Sequence, residues 1–173
     1  MAYSLDTRLV VGVATSALFD LREAHAVYAA EGLEAFRAHQ RARLEAPLEP
    51  GVAFAFVKRL LGLNAARPDD PLVEVMLLSR NDAETGRRAF RSVAAHGLPI
   101  ERAAFLHGEG PQSYLDAFAC ELFLSSNEAD VRAAIAAGAP AGLVLEPSIA
   151  DDDGDPELRV AFDFDGVLVD DAS

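Results

Sequence analysis

The sequence predicts an α/β protein in which parallel strands alternate with helices. Short apolar runs rich in valine and leucine recur along the chain, and amphipathic segments separate them. Glycine, proline, asparagine and aspartate mark the borders. This alternation favours a parallel sheet covered by helices on both faces. We therefore expect a three-layer unit with five parallel strands in the order 5-4-1-2-3, extra helices after the first strand and an additional C-terminal strand.

The first half of the chain supplies two strands and the extra helices. The continuous apolar run Leu9–Ala14 predicts the first strand. Residues 21–44 carry apolar side chains at helical spacing, and Gly32 indicates a break between two shorter helices. Another amphipathic helix is predicted at residues 52–63. Residues 72–78, apolar except for Glu74, then predict a strong second strand.

In the second half of the chain, three predicted helices alternate with three predicted strands. Asn81 or Asp82 is expected to cap the next helix, which stops at Gly97. Gly138 is expected to end the last helix. The remaining predicted elements are strands at residues 103–106, 122–124 and 141–145 and helices at residues 111–119 and 128–137.

The composition argues against two classes of binding partner, nucleic-acid polymers and membranes. The net charge of −13 argues against binding a nucleic-acid polymer, because phosphates would be repelled. The sequence shows no signal-peptide pattern and no apolar run of membrane-spanning length, so we expect a cytoplasmic protein without a membrane partner. Cys120 is the only cysteine and is expected to be a core residue rather than a nucleophile.

The most informative segment is residues 159–170, in which an apolar run leads into Asp163, Phe164, Asp165 and Gly166. Carboxylates two residues apart on a strand point the same way, at the strand end where ligands bind in α/β sheets. This pattern predicts an aspartyl nucleophile with a second acid and Mg²⁺. A calcium loop is excluded, because Ala161 stands where the first ligand would be. A chance acidic turn is the alternative.

The position of this motif predicts two units. Residues 1–147 would form a complete α/β domain, 148–157 an acidic linker, and 158–173 the first strand of a second, catalytic unit that this chain does not contain. Residues 13–20 align weakly with 163–170, with Val13 and Thr15 at the places of the two acids. The first unit is therefore expected to be a degenerate relative of the second.

The terminal motif resembles that of the haloacid-dehalogenase-like phosphohydrolases, which have a Rossmann-like fold. The chain more closely resembles the cytosolic 5′-nucleotidase I family, here its N-terminal part. The segments that carry this resemblance are residues 17–20, 31–36, 71–75, 77–82 and 122–128 and the terminal motif. The resemblance implies Mg²⁺-dependent hydrolysis of nucleoside 5′-monophosphates, with Asp163 as the nucleophile, Asp165 as the general acid/base and both near the metal.

The broader class also uses a serine or threonine after the second strand, a lysine and a pair of acids. Ser79 fits the first position, and Arg80 and Asn81 are candidate substrate contacts; a strand-end hydroxyl and a solvated turn are the alternatives. Where the lysine is needed the chain has Asp116, and Ser125 and Ser126 replace the acid pair. The first unit is therefore not expected to work as a phosphatase alone.

Three functional hypotheses follow. The leading one is a 5′-nucleotidase of which this chain is an incomplete N-terminal part, weakly active or inactive in isolation. The second is a non-catalytic binding or assembly module with a degenerate phosphatase fold. The third is a complete small phosphatase with a rearranged sheet, in which Ser79 serves Asp163 directly. An apolar terminal strand without its own sheet also predicts a homodimer formed by strand exchange.

Overall fold

The computed structural model describes Leu5, residues 7–147 and residues 155–162, and it shows one parallel sheet flanked by helices. The strands are β1 (Leu9–Ala14), β2 (Val73–Ser79), β3 (Arg102–Phe105), β4 (Leu122–Ser125) and β5 (Ala141–Leu143). The helices are α1 (Thr15–Leu18), α2 (Arg22–Ala42), α3 (Phe54–Gly62), α4 (Ala83–Ala95) and α5 (Glu128–Ala136), with 3-10 turns at Leu63–Ala66 and Pro111–Ser113.

The strand order is β3-β2-β1-β4-β5, which confirms the predicted order read from the other edge. All four strand pairs are parallel. Because crossovers between parallel strands are right-handed, the reversal of direction at β1 places the helices that precede β3 and those that follow it on opposite faces. Residues 10–14 of β1 are buried without alternation, as a strand covered on both faces requires.

The predicted cap of α4, the break inside α2 and the glycines after α4 and α5 are confirmed. Asp82 caps α4 by accepting a hydrogen bond from the Thr85 backbone N–H at 2.8 Å. Gly32 has a φ of 82° and interrupts the helical geometry inside α2, as its position indicated. Gly97 and Gly138 both have positive φ and follow the ends of α4 and α5. Within the part of the chain that the structure describes, no helix has the length and apolarity to cross a membrane.

Two predicted elements differ from the structure. The helix predicted at residues 111–119 is wrong: a 3-10 turn at Pro111–Ser113 is followed by isolated turns, and Ala119 takes a φ of 52°. A helix of about nine residues gains little stability from its own hydrogen bonds, and here Leu115 is fully buried while Phe118 packs only partly against the core. In the predicted additional strand, residues 158–162 form no strand, and residues 163–169 lie outside the described residues.

Candidate functional site

A large open cleft lies at the carboxyl ends of β1, β4 and β5. The strand order reverses between β1 and β4, and crevices in open α/β sheets form at that switch point. The cavity volume is about 1140 Å³, enough for a small-molecule ligand. We call it the β1/β4 cleft; its lining includes Ser16, Asp20, Arg22, Val52, Ala55, Phe56, Arg59, Ser126, Asn127, Leu158 and Arg159.

Hydroxyl groups meet where the two central strands end. The Ser126 hydroxyl after β4 donates to the Ser16 hydroxyl after β1 at 3.0 Å. The neighbouring Ser125 is fully buried, and its hydroxyl accepts from the Asn127 backbone N–H at 3.0 Å. Asn127 in turn caps α5 by accepting from the Ala129 backbone N–H. The strand-end serines therefore differ: Ser125 is used internally, whereas Ser126 is exposed to the cleft.

The charges around the β1/β4 cleft are predominantly negative. Its described lining residues include five carboxylates against three guanidinium groups and one histidine. Arg22 binds both carboxylate oxygens of Asp20, with its Nε at 3.0 and 2.9 Å from them. The hydrogen bonds from Arg22 lower the pKa of Asp20, so this acid is ionised at neutral pH. A ligand with a free negative charge would meet net repulsion here.

Residues 155–159 form one wall of the β1/β4 cleft. Arg59 on α3 donates from its Nε to the backbone oxygen of Asp155 at 2.8 Å. Arg159 pairs with the Asp155 carboxylate at 2.9 Å. Leu158 packs against the hydrophobic core of the sheet. Residues 155–159, which precede Asp163 in the sequence, are thus held against α3 and the core of the sheet.

The predicted residues Ser79, Arg80 and Asn81 lie at the end of β2, and none of them lines the β1/β4 cleft. We call their surroundings, residues 79–81 and 106–108, the β2/β3 corner. Its backbone is tied by hydrogen bonds from residues 106, 107 and 108 to the carbonyls of residues 79, 81 and 80. The Ser79 hydroxyl accepts from the Asn81 backbone N–H at 3.1 Å, so it stabilises a turn.

Arg80 is engaged inside the protein. Its Nε donates to Asp130 at 2.9 Å, its Nη2 contacts the same oxygen, and its Nη1 donates to the Gly108 carbonyl at 2.8 Å. The hydrogen bond with Asp130 raises the pKa of Arg80. Only 7% of the Asp130 side chain is exposed, which makes Arg80 the counter-ion of a buried acid. The substrate-contact role of residues 79–81 stays a prediction.

The structure also places the residues that stand where the sequence comparison expects other phosphatase groups. Val13 is fully buried, and the Thr15 hydroxyl is buried without a hydrogen-bond partner among the residues that the structure describes. Lys58, the single lysine of the sequence, is exposed on α3, and Asp116 is exposed. Burial raises the pKa of Cys120 to about 11, so its thiol is neutral and not nucleophilic. The described ranges contain no group of three histidine, cysteine or acid side chains that could hold a metal.

Asp163 and Asp165, the predicted catalytic and metal-binding residues, lie outside the described residues. Sequence reasoning missed the cleft residues Ser16, Arg22 and Arg59. The position of Ser16 just after a central strand was a usable signal, because ligand sites gather there. Arg59 gave no signal, since its contact with residue 155 joins positions 96 apart in the sequence.

Comparison with known proteins identifies relatives of the whole chain. A family model described as 5′-nucleotidase matches residues 1–173. Human cytosolic 5′-nucleotidase 1B is 33% identical over 170 residues, which cover 95% of this chain and 28% of that protein. The chain thus spans less than a third of the length of this curated relative. No solved structure matches this chain. The resemblance read from the sequence is confirmed: the chain belongs to the 5′-nucleotidase family.

Proposed function

We propose that the protein is a Mg²⁺-dependent 5′-nucleotidase that converts nucleoside 5′-monophosphates to nucleosides and phosphate. The observation that carries this proposal is the motif of Asp163 and Asp165 in a chain that belongs to the 5′-nucleotidase family. We assign residues 1–147 to a degenerate first unit, 148–157 to a linker and 158–173 to the start of the catalytic unit. The human relative is named as cytosolic, and we place this protein in the cytoplasm as well.

The two acids divide the reaction into two steps. The Asp163 carboxylate attacks phosphorus and forms an aspartyl-phosphate, while the bond from phosphorus to the ribose 5′ oxygen breaks. Protonated Asp165 gives its proton to that oxygen, and the nucleoside leaves. Asp165, now a carboxylate, takes a proton from water, whose oxygen attacks phosphorus. The bond to Asp163 then breaks and phosphate is released.

The donor chemistry of the motif fits Mg²⁺, because carboxylate oxygens are the ligands this ion prefers. Asp163 and Asp165 would hold it, and when bound it would offset the repulsion between the attacking carboxylate and the phosphate. Among the described residues of the first unit, no group of three histidine, cysteine or acid side chains could hold the ion by itself. We therefore assign the metal to the catalytic unit and a binding or positioning role to the first unit.

A mutation at Asp163 tests the proposal. In a protein that carries both units, Asp163→Asn keeps the shape of the side chain and removes the nucleophile. We expect the release of phosphate from adenosine 5′-monophosphate to fall by at least about a thousandfold. Asp165→Asn should slow this substrate more than nitrophenyl phosphate, whose leaving group needs no proton. Turnover that survives Asp163→Asn would overturn the site assignment.

A binding or assembly module is the second candidate function. Two observations together favour it. The structure has an open cleft, and the positions that would carry the two acids are occupied by the buried residues Val13 and Thr15. The 173-residue chain alone separates the two candidates. Under the nucleotidase proposal we expect it to hydrolyse adenosine 5′-monophosphate very poorly, and only the addition of the catalytic unit restores turnover. A chain that stays inactive when extended would favour the binding module.

A further inference from the structure

We propose that the β1/β4 cleft binds the uncharged nucleoside portion of the substrate, while its phosphate lies outside the cleft at Asp163. The inference rests on the proposed function and deepens it. It assigns recognition of base and sugar to the first unit and phosphate chemistry to the second. The degenerate unit would then act as the specificity-determining half of a composite site.

The charge of the cleft favours an uncharged ligand. Within the described part of the chain, five carboxylates face the cleft against three guanidinium groups. Arg22 is engaged with Asp20 and Arg159 with Asp155, both acids of the same lining. A phosphate dianion placed here would be repelled unless a cation accompanied it. A nucleoside without its phosphate carries no charge that the cleft would oppose.

The lining also has the groups that a base and a sugar require. Apolar side chains of Val52, Phe56 and Leu158 provide surface for a flat heteroaromatic ring. The Ser16 and Ser126 hydroxyls can each donate and accept hydrogen bonds. The carboxylates at the rim are acceptors suited to sugar hydroxyls. The cavity volume of about 1140 Å³ leaves room for a nucleoside and water.

Chain connectivity links this cleft to the nucleophile. Arg159 lines the β1/β4 cleft, and Asp163 follows it by four positions in the sequence. Four residues span at most about 14 Å even when fully extended. In the proposed composite site, this short connection joins the cleft to Asp163. The packing of Leu158 and the bond from Arg59 to Asp155 fix the start of this connection.

Binding of adenosine and cytidine to the 173-residue chain, measured by calorimetry, tests the inference. Ala55 lines the cleft on α3, so Ala55→Phe fills it, whereas Ala38→Phe adds the same ring at an exposed position of α2. We expect at least one of the two nucleosides to bind, and its affinity to fall at least about tenfold in Ala55→Phe and to be unchanged in Ala38→Phe. Inorganic phosphate should not compete. Equal thermal unfolding midpoints for the two variants would show that folding is not the cause.

Three outcomes would overturn the inference: binding of neither nucleoside, equal affinity in both variants, or competition by inorganic phosphate. A less intrusive variant pair, Ser126→Ala against Ser113→Ala, repeats the comparison if Ala55→Phe does not fold. Asp163→Asn separates this inference from the proposed function. If Asp163→Asn abolishes hydrolysis but filling the cleft leaves nucleoside binding unchanged, the nucleotidase stands and the cleft assignment fails. If hydrolysis survives Asp163→Asn while the cleft binds nucleoside, the reverse holds.

Discussion

The β2/β3 corner and the β1/β4 cleft lie at the same edge of one sheet, yet they are built in opposite ways. In the corner, Arg80 donates hydrogen bonds to Asp130 and to the Gly108 carbonyl, and the Ser79 hydroxyl stabilises a turn. In the cleft, Ser16 and Ser126 bond to each other and still line an open cavity. Polar residues at strand ends thus serve stability in one place and are available to a ligand in the other.

The difference follows from topology. β1, β2 and β3 succeed one another in the same direction, so the loops after β2 and β3 lie side by side and bond to each other. At β1 and β4 the chain departs in opposite directions, which leaves a crevice between the two strand ends. The same kinds of side chain therefore have different roles because of the strand order alone. If this comparison is right, mutations in the corner should cost stability, and mutations in the cleft should not.

The largest loss of stability is expected for Arg80→Ala. The mutation leaves Asp130 buried without its counter-ion, and we expect a loss of about 2–3 kcal/mol in the free energy of unfolding. This is below the range for fully buried pairs, because 46% of the Arg80 side chain is exposed. Urea denaturation measures it. Arg132→Ala is the control on α5: it breaks the exposed pair with Glu128 and should cost less than about 0.5 kcal/mol. Equal losses would contradict a stabilising role for the corner.

A smaller loss of stability is expected for mutation of Asp82. This residue follows the corner, caps α4 and pairs with Arg37 of α2. Burial alone would raise its pKa, but hydrogen bonds from Thr85 and Arg37 outweigh burial and lower the pKa to about 2. Because the folded-state pKa lies below the unfolded value of 3.8, the stabilisation is complete above about pH 4 and is lost as the pH falls toward 2.

Unfolding of wild type and Asp82→Asn at several pH values measures this contribution. We expect the wild type to lose about 1–2 kcal/mol more than the variant between pH 4 and pH 2, after allowance for solvent screening. Asp116→Asn, which changes an exposed acid elsewhere in the chain, should follow the wild-type curve. A wild-type curve that coincides with that of Asp82→Asn would remove Asp82 from the acid-sensitive contacts.

The sequence predicted the sheet better than it predicted the cleft, for a physical reason. The run Leu9–Ala14 and the caps at Asp82 and Gly138 are local signals, because burial pattern and backbone geometry act over a few residues. The cleft depends on contacts such as that of Arg59 with Asp155, which no local pattern encodes. The helix predicted at residues 111–119 was wrong because so short a segment is not held helical by its own hydrogen bonds, and tertiary contacts decide its backbone.

The smallest loss of stability is expected for mutation of Ser126, and its neighbour Ser125 provides a matched control. Ser125→Ala removes the buried acceptor of the Asn127 backbone N–H, which should cost about 1 kcal/mol. Ser126→Ala removes an exposed hydroxyl at the cleft, so we expect less than about 0.5 kcal/mol. Urea denaturation of the two variants therefore compares the same chemical change one residue apart. A larger loss for Ser126 would mean that its bond to Ser16 holds the strand ends together, and the cleft would then be a structural feature like the corner.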